Sequence, residues 1–210
     1  MNYQSSYGFF AMLDRMQYIN RWGLMRNNRV ENIKEHSFDV AVIAHALAVI
    51  HNNEFPEPMK VDEFKVLAYA LYHDCTEIIT GDLPTPIKYR NETIKQAYKE
   101  VEHEAAERLA SLLPKMMQDE YMGLLDPAYE GEEEQLMKKL VKAADRIAAY
   151  IKCMTEEASG NTEFTSARKT ILETIDNIRL PEVDYFMEKF VPSYGFTLDE
   201  LNSRKREENI

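Results

Sequence analysis

The hydrophobic positions of the chain recur every three or four residues, a spacing that places side chains on one face of a helix. Between Glu35 and about His51 the apolar positions are Val40, Ile43, Ala44 and Leu47. A second stripe follows Asp62, a residue suited to cap a helix N-terminus, at Phe64, Leu67, Ala68 and Leu71. No stretch of strict alternation is long enough to indicate a β-strand. The pattern therefore predicts an all-α fold.

Glycine and proline mark where the predicted helices end. The second helix is expected to continue through residues 73–77 and to stop near Gly81, which can adopt a left-handed backbone conformation. The next two helices are predicted from about Asn91 to Leu113 and from about Glu132 to Ala158, and one or two more surround Pro181. Because no repeat or low-complexity linker interrupts this series, residues 1–210 are expected to form a single domain.

Composition and charge restrict the class of protein. The 210 residues include 25 basic and 36 acidic side chains, which gives a formal net charge of −11 at pH 7. Such an acidic surface argues against a nucleic-acid polymer as partner, but not against a small anion in a locally positive pocket. The two cysteines, Cys75 and Cys153, suit a reducing compartment. With neither a signal peptide nor a stretch of about 18 apolar residues, we expect a cytoplasmic protein without a membrane span.

The candidate chemistry lies at three places: His36, the adjacent pair His73 and Asp74, and Asp145. His36 shares a face with the apolar stripe of its helix and should point inward. Asp145 stands among alanines, where a carboxylate is costly to bury unless it is paired or bound. Each also has an ordinary structural explanation: His36 would be a buried histidine bonded to a carbonyl, and Asp145 would form a salt bridge to Lys142 or to a neighbouring helix. Together, two imidazoles and two carboxylates suit one borderline divalent transition metal and leave positions for water and substrate.

The other three histidines have less favourable positions for such a site. His45 lies on the flank of its helix, His51 lies near a helix end, and His103 lies on a charged face. We interpret all three as structural. They are poorly placed to supply ligands for a second metal ion.

The spacing of His36, His73-Asp74 and Asp145 resembles the H…HD…D pattern of the HD-domain metal-dependent phosphohydrolases, which are helical bundles. Longer strings are more specific: Ile19–Arg26, Glu31-Asn32, Glu35–Ser37, His73–Glu77, Thr80–Pro86, Val183–Glu188 and Phe190–Ser193. These strings resemble the bacterial YfbR-type 5'-deoxynucleotidases over nearly the whole chain. The resemblance implies a cytoplasmic homodimer that hydrolyses deoxyribonucleoside 5'-monophosphates with a divalent cation such as cobalt, manganese or copper.

We expect two further residues, Glu77 and Arg21, to take part in the hydrolysis of the phosphate monoester. Glu77, on the predicted face of His73 and Asp74, is expected to position or deprotonate the attacking water. The resemblance assigns Arg21 to clamp the phosphate, because a guanidinium binds phosphate oxygens bidentately. Without the resemblance, a surface salt bridge would explain Arg21.

Substrate contacts are also expected beside Arg21 and after Gly81. An indole at Trp22 that packed against C2' of the sugar would exclude a 2'-hydroxyl, whereas its alternative role is a core anchor for the first segment. Asp82 would accept a hydrogen bond from a sugar hydroxyl or hold the leaving oxygen, or else serve only as a turn residue. The expected substrate contacts are Arg21, Trp22, Asp74, Asp82, Leu83, Pro84, Thr85 and Asp145.

Two other functions remain open from the sequence. The first is an HD phosphohydrolase that acts on another nucleotide, either a nucleoside triphosphate or a cyclic nucleotide. The second is a nucleotide-binding module that has lost catalysis. Release of phosphate from defined nucleotides separates all three.

Overall fold

A computed structural model describes residues 6–83, 88 and 90–203 of the protein. The α-helices in these residues are α1 (Phe9–Asp14), α2 (Ile33–Glu54), α3 (Glu63–Tyr72), α4 (Glu77–Thr80), α5 (Glu92–Ala110), α6 (Lys115–Leu125), α7 (Gly131–Ala158), α8 (Thr165–Asp176), α9 (Pro181–Lys189) and α10 (Leu198–Ser203). Short 3₁₀ segments cover Arg15–Tyr18, Thr162–Phe164 and Val191–Gly195. The described part of the chain contains no β-strand, only an isolated antiparallel bridge between Asn20 and Asn32. The all-α prediction is confirmed.

The starts of α2 and α3 are fixed by side-chain caps. The Asn32 side chain accepts hydrogen bonds from the backbone N–H groups of Lys34 (3.1 Å) and Glu35 (3.0 Å). Asp62 accepts in the same way from Phe64 and Lys65, both at 3.0 Å. These bonds satisfy N–H groups that have no partner within the helix. The predicted cap at Asp62 is confirmed.

The second predicted helix is interrupted where the candidate His-Asp pair lies. Helix α3 ends at Tyr72, residues 73–76 form turns, and α4 covers only four residues. The cause is local: Nδ1 of His73 lies 2.7 Å from the Ala70 carbonyl, where a continuing helix would receive the backbone N–H of Asp74. The prediction of a continuous helix through residues 73–77 is therefore wrong. Its predicted end at Gly81, which has a φ of +75°, is confirmed.

Two clusters of buried apolar side chains build the interior. The first joins α2, α3 and α7 to the C-terminal helices; its members include Leu47, Val66, Ile147 and Phe186. The second lies under the N-terminal helix and includes Phe9, Ile33, Cys75 and Leu109. Helix α2 and the segment that follows α3 both pass from one cluster to the other, and polar residues lie at these two crossings. His36 lies between Ile33 and Val40 along α2, and the His73-Asp74 pair lies between Ala70 and Cys75.

None of the helices in the described residues is long and apolar enough to cross a bilayer. Both cysteines are free and buried.

Removal of the α3 cap should destabilise the protein measurably. Replacing Asp62 with Ala leaves two N–H groups without their acceptor, so the free energy of unfolding should fall by about 1 kcal/mol in urea titrations. Asp62→Asn keeps a side-chain oxygen at the same place and is the matched control. Equal stability of the Ala and Asn variants would contradict the capping role.

Candidate active site

His36 lies within the first turns of α2 and is fully buried. Its Nε2 lies 3.1 Å from Oδ1 of Asp145 on α7 and 3.7 Å from Oδ2 of Asp74. The inward orientation predicted from the apolar stripe is therefore observed. One imidazole nitrogen thus faces carboxylates from two different segments.

The turn after α3 presents His73 and Asp74 to the same place. Nδ1 of His73 donates to the Ala70 carbonyl, and Nε2 lies 3.1 Å from Oδ2 of Asp74. This Nε2 is buried, and it faces the Asp74 carboxylate without making a hydrogen bond to it. A histidine that is oriented through one nitrogen and directs the other at a neighbouring carboxylate is arranged as a metal ligand.

The donor set fits a divalent transition metal. One ligand atom each from His36, His73 and Asp74 lies within 4.8 Å of the others. Asp145 adjoins this group through His36, and its ion-pair contacts are with His36 and Arg21 rather than with Lys142. Mixed imidazole and carboxylate ligands are those preferred by borderline metals.

The charges of this group favour a bound cation. Burial raises the pKa of Asp145, but the hydrogen bond and charge of His36 outweigh it and hold the pKa well below its usual range. Burial likewise opposes ionisation of Asp74, which His73 nevertheless keeps charged with a strongly lowered pKa. Burial and the charge of Arg21 lower the pKa of His36, which favours the neutral imidazole that metals bind. Burial lowers the pKa of His73, but Asp74 outweighs it and raises the pKa to about 9, so this imidazole must release a proton before it can bind a cation.

Arg21 faces the same two carboxylates. Its Nη1 lies 3.3 Å from Oδ2 of Asp74, and its Nη2 lies 4.0 Å from Oδ1 of Asp145. Only 15% of the Arg21 side chain is exposed. The guanidinium therefore belongs to the buried group and is not a surface ion pair.

Arg21 belongs to a loop of residues 20–32, here called the clamp loop, whose ends are fixed by hydrogen bonds. Ile33 donates its backbone N–H to the Ile19 carbonyl at 2.9 Å, which closes the base of the loop. At the far end, the buried carboxylate of Glu156 on α7 accepts from the backbone N–H groups of Asn28 (2.8 Å) and Arg29 (3.1 Å). Burial alone would raise the pKa of Glu156, but these hydrogen bonds and one from Lys152 lower it to about 2. A charged carboxylate thus ties the clamp loop to the long helix.

Trp22 is anchored within this loop. Its indole packs edge-on against Phe164, with ring centroids 5.3 Å apart, and donates its N–H to Oε2 of Glu31 at 2.8 Å. Both contacts agree with the anchor alternative, and the position beside Arg21 keeps the indole close to the candidate phosphate clamp. Sequence reasoning did not single out Glu31; the only signal was its place in the Glu31-Asn32 string.

Glu77 and Asp82 lie next to the His-Asp group. Glu77 is only 8% exposed, and its Oε2 is buried without a hydrogen-bond partner. Burial, then the charges of Asp74 and Asp82, raise its pKa to about 9. Asp82 is half-buried, and burial raises its pKa while the charge of Arg21 opposes the shift. Both carboxyls are therefore within the electrostatic reach of the candidate site.

Of the remaining predicted substrate contacts, Leu83 is partly exposed at the last described position before a gap. Pro84 and Thr85 lie outside the described residues.

The other histidines make contacts away from this group. The His45 ring lies 5.7 Å from the Phe64 ring. His51 donates from Nε2 to the Met59 carbonyl at 2.9 Å, and exposed His103 contacts Asp126. Such packing and hydrogen bonds agree with structural roles.

Comparison with known proteins identifies relatives over nearly the whole chain. The profile of the family described as 5'-deoxynucleotidase YfbR-like matches residues 8–194. The 5'-deoxynucleotidases of Yersinia pestis (strain Pestoides F) and Yersinia pseudotuberculosis (serotype O:1b, strain IP 31758) are each 48% identical over 194 residues. Each match covers 92% of this chain and 96% of the relative.

Solved structures show the same fold at lower identity. An HD-domain phosphohydrolase from Listeria innocua superposes with a TM-score of 0.75 at 24% identity, over 93% of this chain and 95% of the other. The HD phosphohydrolase of cyanophage S-2L, solved with dA and one catalytic Zn²⁺, gives a TM-score of 0.58 at 18% identity, over 87% and 96%. The predicted HD-domain bundle is confirmed. Since both the family profile and relatives of 48% identity span almost all of it, this chain belongs to the YfbR-like 5'-deoxynucleotidase family.

Proposed function

We propose that this protein hydrolyses deoxyribonucleoside 5'-monophosphates to a deoxynucleoside and inorganic phosphate. The observation that carries the proposal is the buried group of His36, His73 and Asp74, with Asp145 beside it and the Arg21 guanidinium directed at both aspartates. Hydrolysis of a phosphate monoester is extremely slow without help. A site for it needs charge that neutralises phosphate oxygens, which Arg21 supplies, and a group that activates water, which the cation held by these residues and Glu77 beside them would supply.

We infer one divalent cation per chain, held by His36, His73, Asp74 and Asp145. When bound, it would neutralise phosphate oxygens and lower the pKa of water. Cobalt, manganese or copper is the expected ion. The Nε2 of His73, which faces the Asp74 carboxylate, and the mixed donor set support the assignment, and the cyanophage relative carries a zinc ion.

The chain's own residues divide the reaction between them. Arg21 binds phosphate oxygens through its two terminal nitrogens. Glu77 positions the water that attacks phosphorus, or takes its proton when the carboxyl, whose pKa is raised to about 9, is ionised. The bond from phosphorus to O5' breaks, and the departing O5' takes up the proton that the water has given up. Asp82 accepts a hydrogen bond from a sugar hydroxyl or holds this oxygen.

The sugar pocket has two proposed walls. Trp22 lies against C2' and leaves no room for a 2'-hydroxyl. Leu83 is the proposed contact on the other side, and Pro84 and Thr85 remain predicted substrate contacts from the sequence.

The proposed homodimer has a candidate surface on α2 and α3. Phe38 and Val42, one turn apart on α2, are 63% and 53% exposed, and Phe64 on α3 is 74% exposed. The contact between the rings of His45 and Phe64 makes this apolar surface continuous across the two helices. A second copy of the chain would cover it. The particle mass from light scattering tests this pairing.

We further propose that residues 1–210 act as one domain in the cytoplasm. Helix α2 contributes to both apolar clusters, which ties them into one unit. Two buried free cysteines suit a reducing compartment.

Metal and phosphate release test the function together. Protein stripped of metal and reloaded with cobalt, manganese or copper should release phosphate from deoxyribonucleoside monophosphates. Asp145→Ala should lose most of its metal in elemental analysis, and with it the activity, while circular dichroism shows unchanged helicity. Asp119→Ala, at an exposed position on α6, is the matched control.

Other outcomes have distinct meanings. If phosphate were released only from nucleoside triphosphates or cyclic nucleotides, the protein would be an HD phosphohydrolase with a different substrate. Nucleotide binding without any release would indicate a non-catalytic module. Full metal content in Asp145→Ala would contradict the ligand assignment.

Loss of the Glu77 carboxylate should slow turnover without removing metal. General acid–base assistance typically contributes about 100- to 10,000-fold in rate, so kcat of Glu77→Gln should fall by this order. Elemental analysis should find the metal content of wild type. Glu133→Gln, at an exposed position on α7, should behave as wild type. Near-normal kcat in metal-replete Glu77→Gln would remove Glu77 from the mechanism.

Truncation of Trp22 should relax the choice of sugar. We expect wild type to prefer dAMP strongly over AMP, and Trp22→Ala to narrow the ratio of their kcat/KM values by about 10- to 100-fold. A thermal melt confirms that the variant is folded. If the ratio is unchanged in the folded variant, the sugar is selected elsewhere.

A further inference from the structure

Glu31 contacts two consecutive residues of the clamp loop with one oxygen. Its Oε2 lies 3.3 Å from Nε of Arg21 and accepts the indole N–H of Trp22 at 2.8 Å. Only 12% of the Glu31 side chain is exposed. One carboxylate therefore forms an ion pair with the proposed phosphate clamp, without a hydrogen bond from its Nε, and accepts a hydrogen bond from the proposed sugar wall.

The backbone is distorted to allow this double contact. Adjacent side chains normally diverge, but Trp22 has a φ of +59°, which is uncommon for a bulky residue. The backbone N–H of Arg21 donates to the Glu31 carbonyl at 2.9 Å, so Glu31 lies directly opposite across the loop. Strained backbone persists where surrounding contacts enforce it, and it is concentrated at functional sites.

The three carboxylates around Arg21 contact different parts of its guanidinium. Glu31 is next to Nε, whereas Asp74 is next to Nη1 and Asp145 next to Nη2. The two aspartates belong to the proposed metal set, and Glu31 does not. If the two aspartates held a cation, Glu31 would still orient the guanidinium of Arg21. Nη1 and Nη2 of Arg21 would then be available to bind phosphate oxygens.

We propose that Glu31 is a positioning residue that controls phosphate affinity through Arg21 and sugar selection through Trp22. It belongs neither to the proposed metal ligands nor to the proposed substrate contacts. The inference rests on the proposed function, because it specifies how the same site recognises the two parts of its substrate.

Two substitutions separate the two effects. Glu31→Gln removes the negative charge beside Arg21 but keeps an oxygen that accepts the Trp22 N–H. It should raise KM for dAMP by roughly tenfold or more, with a much smaller change in kcat and with the dAMP/AMP ratio retained. Glu31→Ala removes both contacts, so it should raise KM and also narrow the ratio. Both variants should keep the metal content of wild type.

A spectroscopic measurement tests the Trp22 contact without any catalysis. Trp22 is the sole tryptophan of the chain, so intrinsic fluorescence reports on this one indole. Glu31→Ala should shift the emission maximum, and Glu31→Gln should restore it to the wild-type position. The matched control is Glu35→Ala, which removes the ion pair with Arg29 in the same loop and leaves Arg21 and Trp22 untouched.

Several results would overturn the inference. If wild type is active, the first such result is a Glu31→Ala variant with unchanged KM for dAMP, unchanged dAMP/AMP ratio and unchanged emission maximum. The second is a Glu31→Gln variant that narrows the dAMP/AMP ratio as much as Glu31→Ala does. Loss of metal from both variants would show a general structural role instead. If wild type releases no phosphate from any deoxynucleotide, the proposed function fails by itself. The fluorescence of the same variants then still decides whether Glu31 holds Trp22.

Discussion

The partial burial of two carboxylates, Asp74 (17% exposed) and Asp145 (24% exposed), between the helices is the constraint on which the site depends. A buried charge is unfavourable unless other charges and hydrogen bonds offset it. Here the compensation comes from His36, His73 and Arg21, each on a different segment. Apolar packing brings these segments together, and the need to compensate the carboxylates fixes which side chains must meet.

The backbone departs from regular geometry in two places around these carboxylates. The helix ends at Tyr72, so that His73 and Asp74, which would diverge on a continuing helix, point to one centre. The clamp loop adopts a positive φ at Trp22, and Arg21 and Trp22 then share Glu31. Functional sites are where local preference is expected to be violated, because the surrounding fold maintains the geometry.

The sequence predicted those features that depend on local rules. Periodicity predicted α2 and the long helix, the Asp62 side chain predicted a cap, and Gly81 predicted an end. The break at Tyr72 was not predictable, because it depends on the contact between a side chain and the Ala70 carbonyl. Glu31 was missed for a related reason: its partners are set by the antiparallel closure of a loop, which no periodic pattern records.

The charge balance around Arg21 finally couples phosphate binding to the cation. Three carboxylates, those of Glu31, Asp74 and Asp145, lie within 4.0 Å of one guanidinium. Even with a protonated His73, three negative charges face two positive ones, and the chain as a whole carries a net charge of −11. A bound divalent cation would bring this balance to zero, because His73 must lose its proton to act as a ligand. We therefore expect Arg21, the proposed phosphate clamp, to bind a phosphate dianion more tightly once the cation is in place.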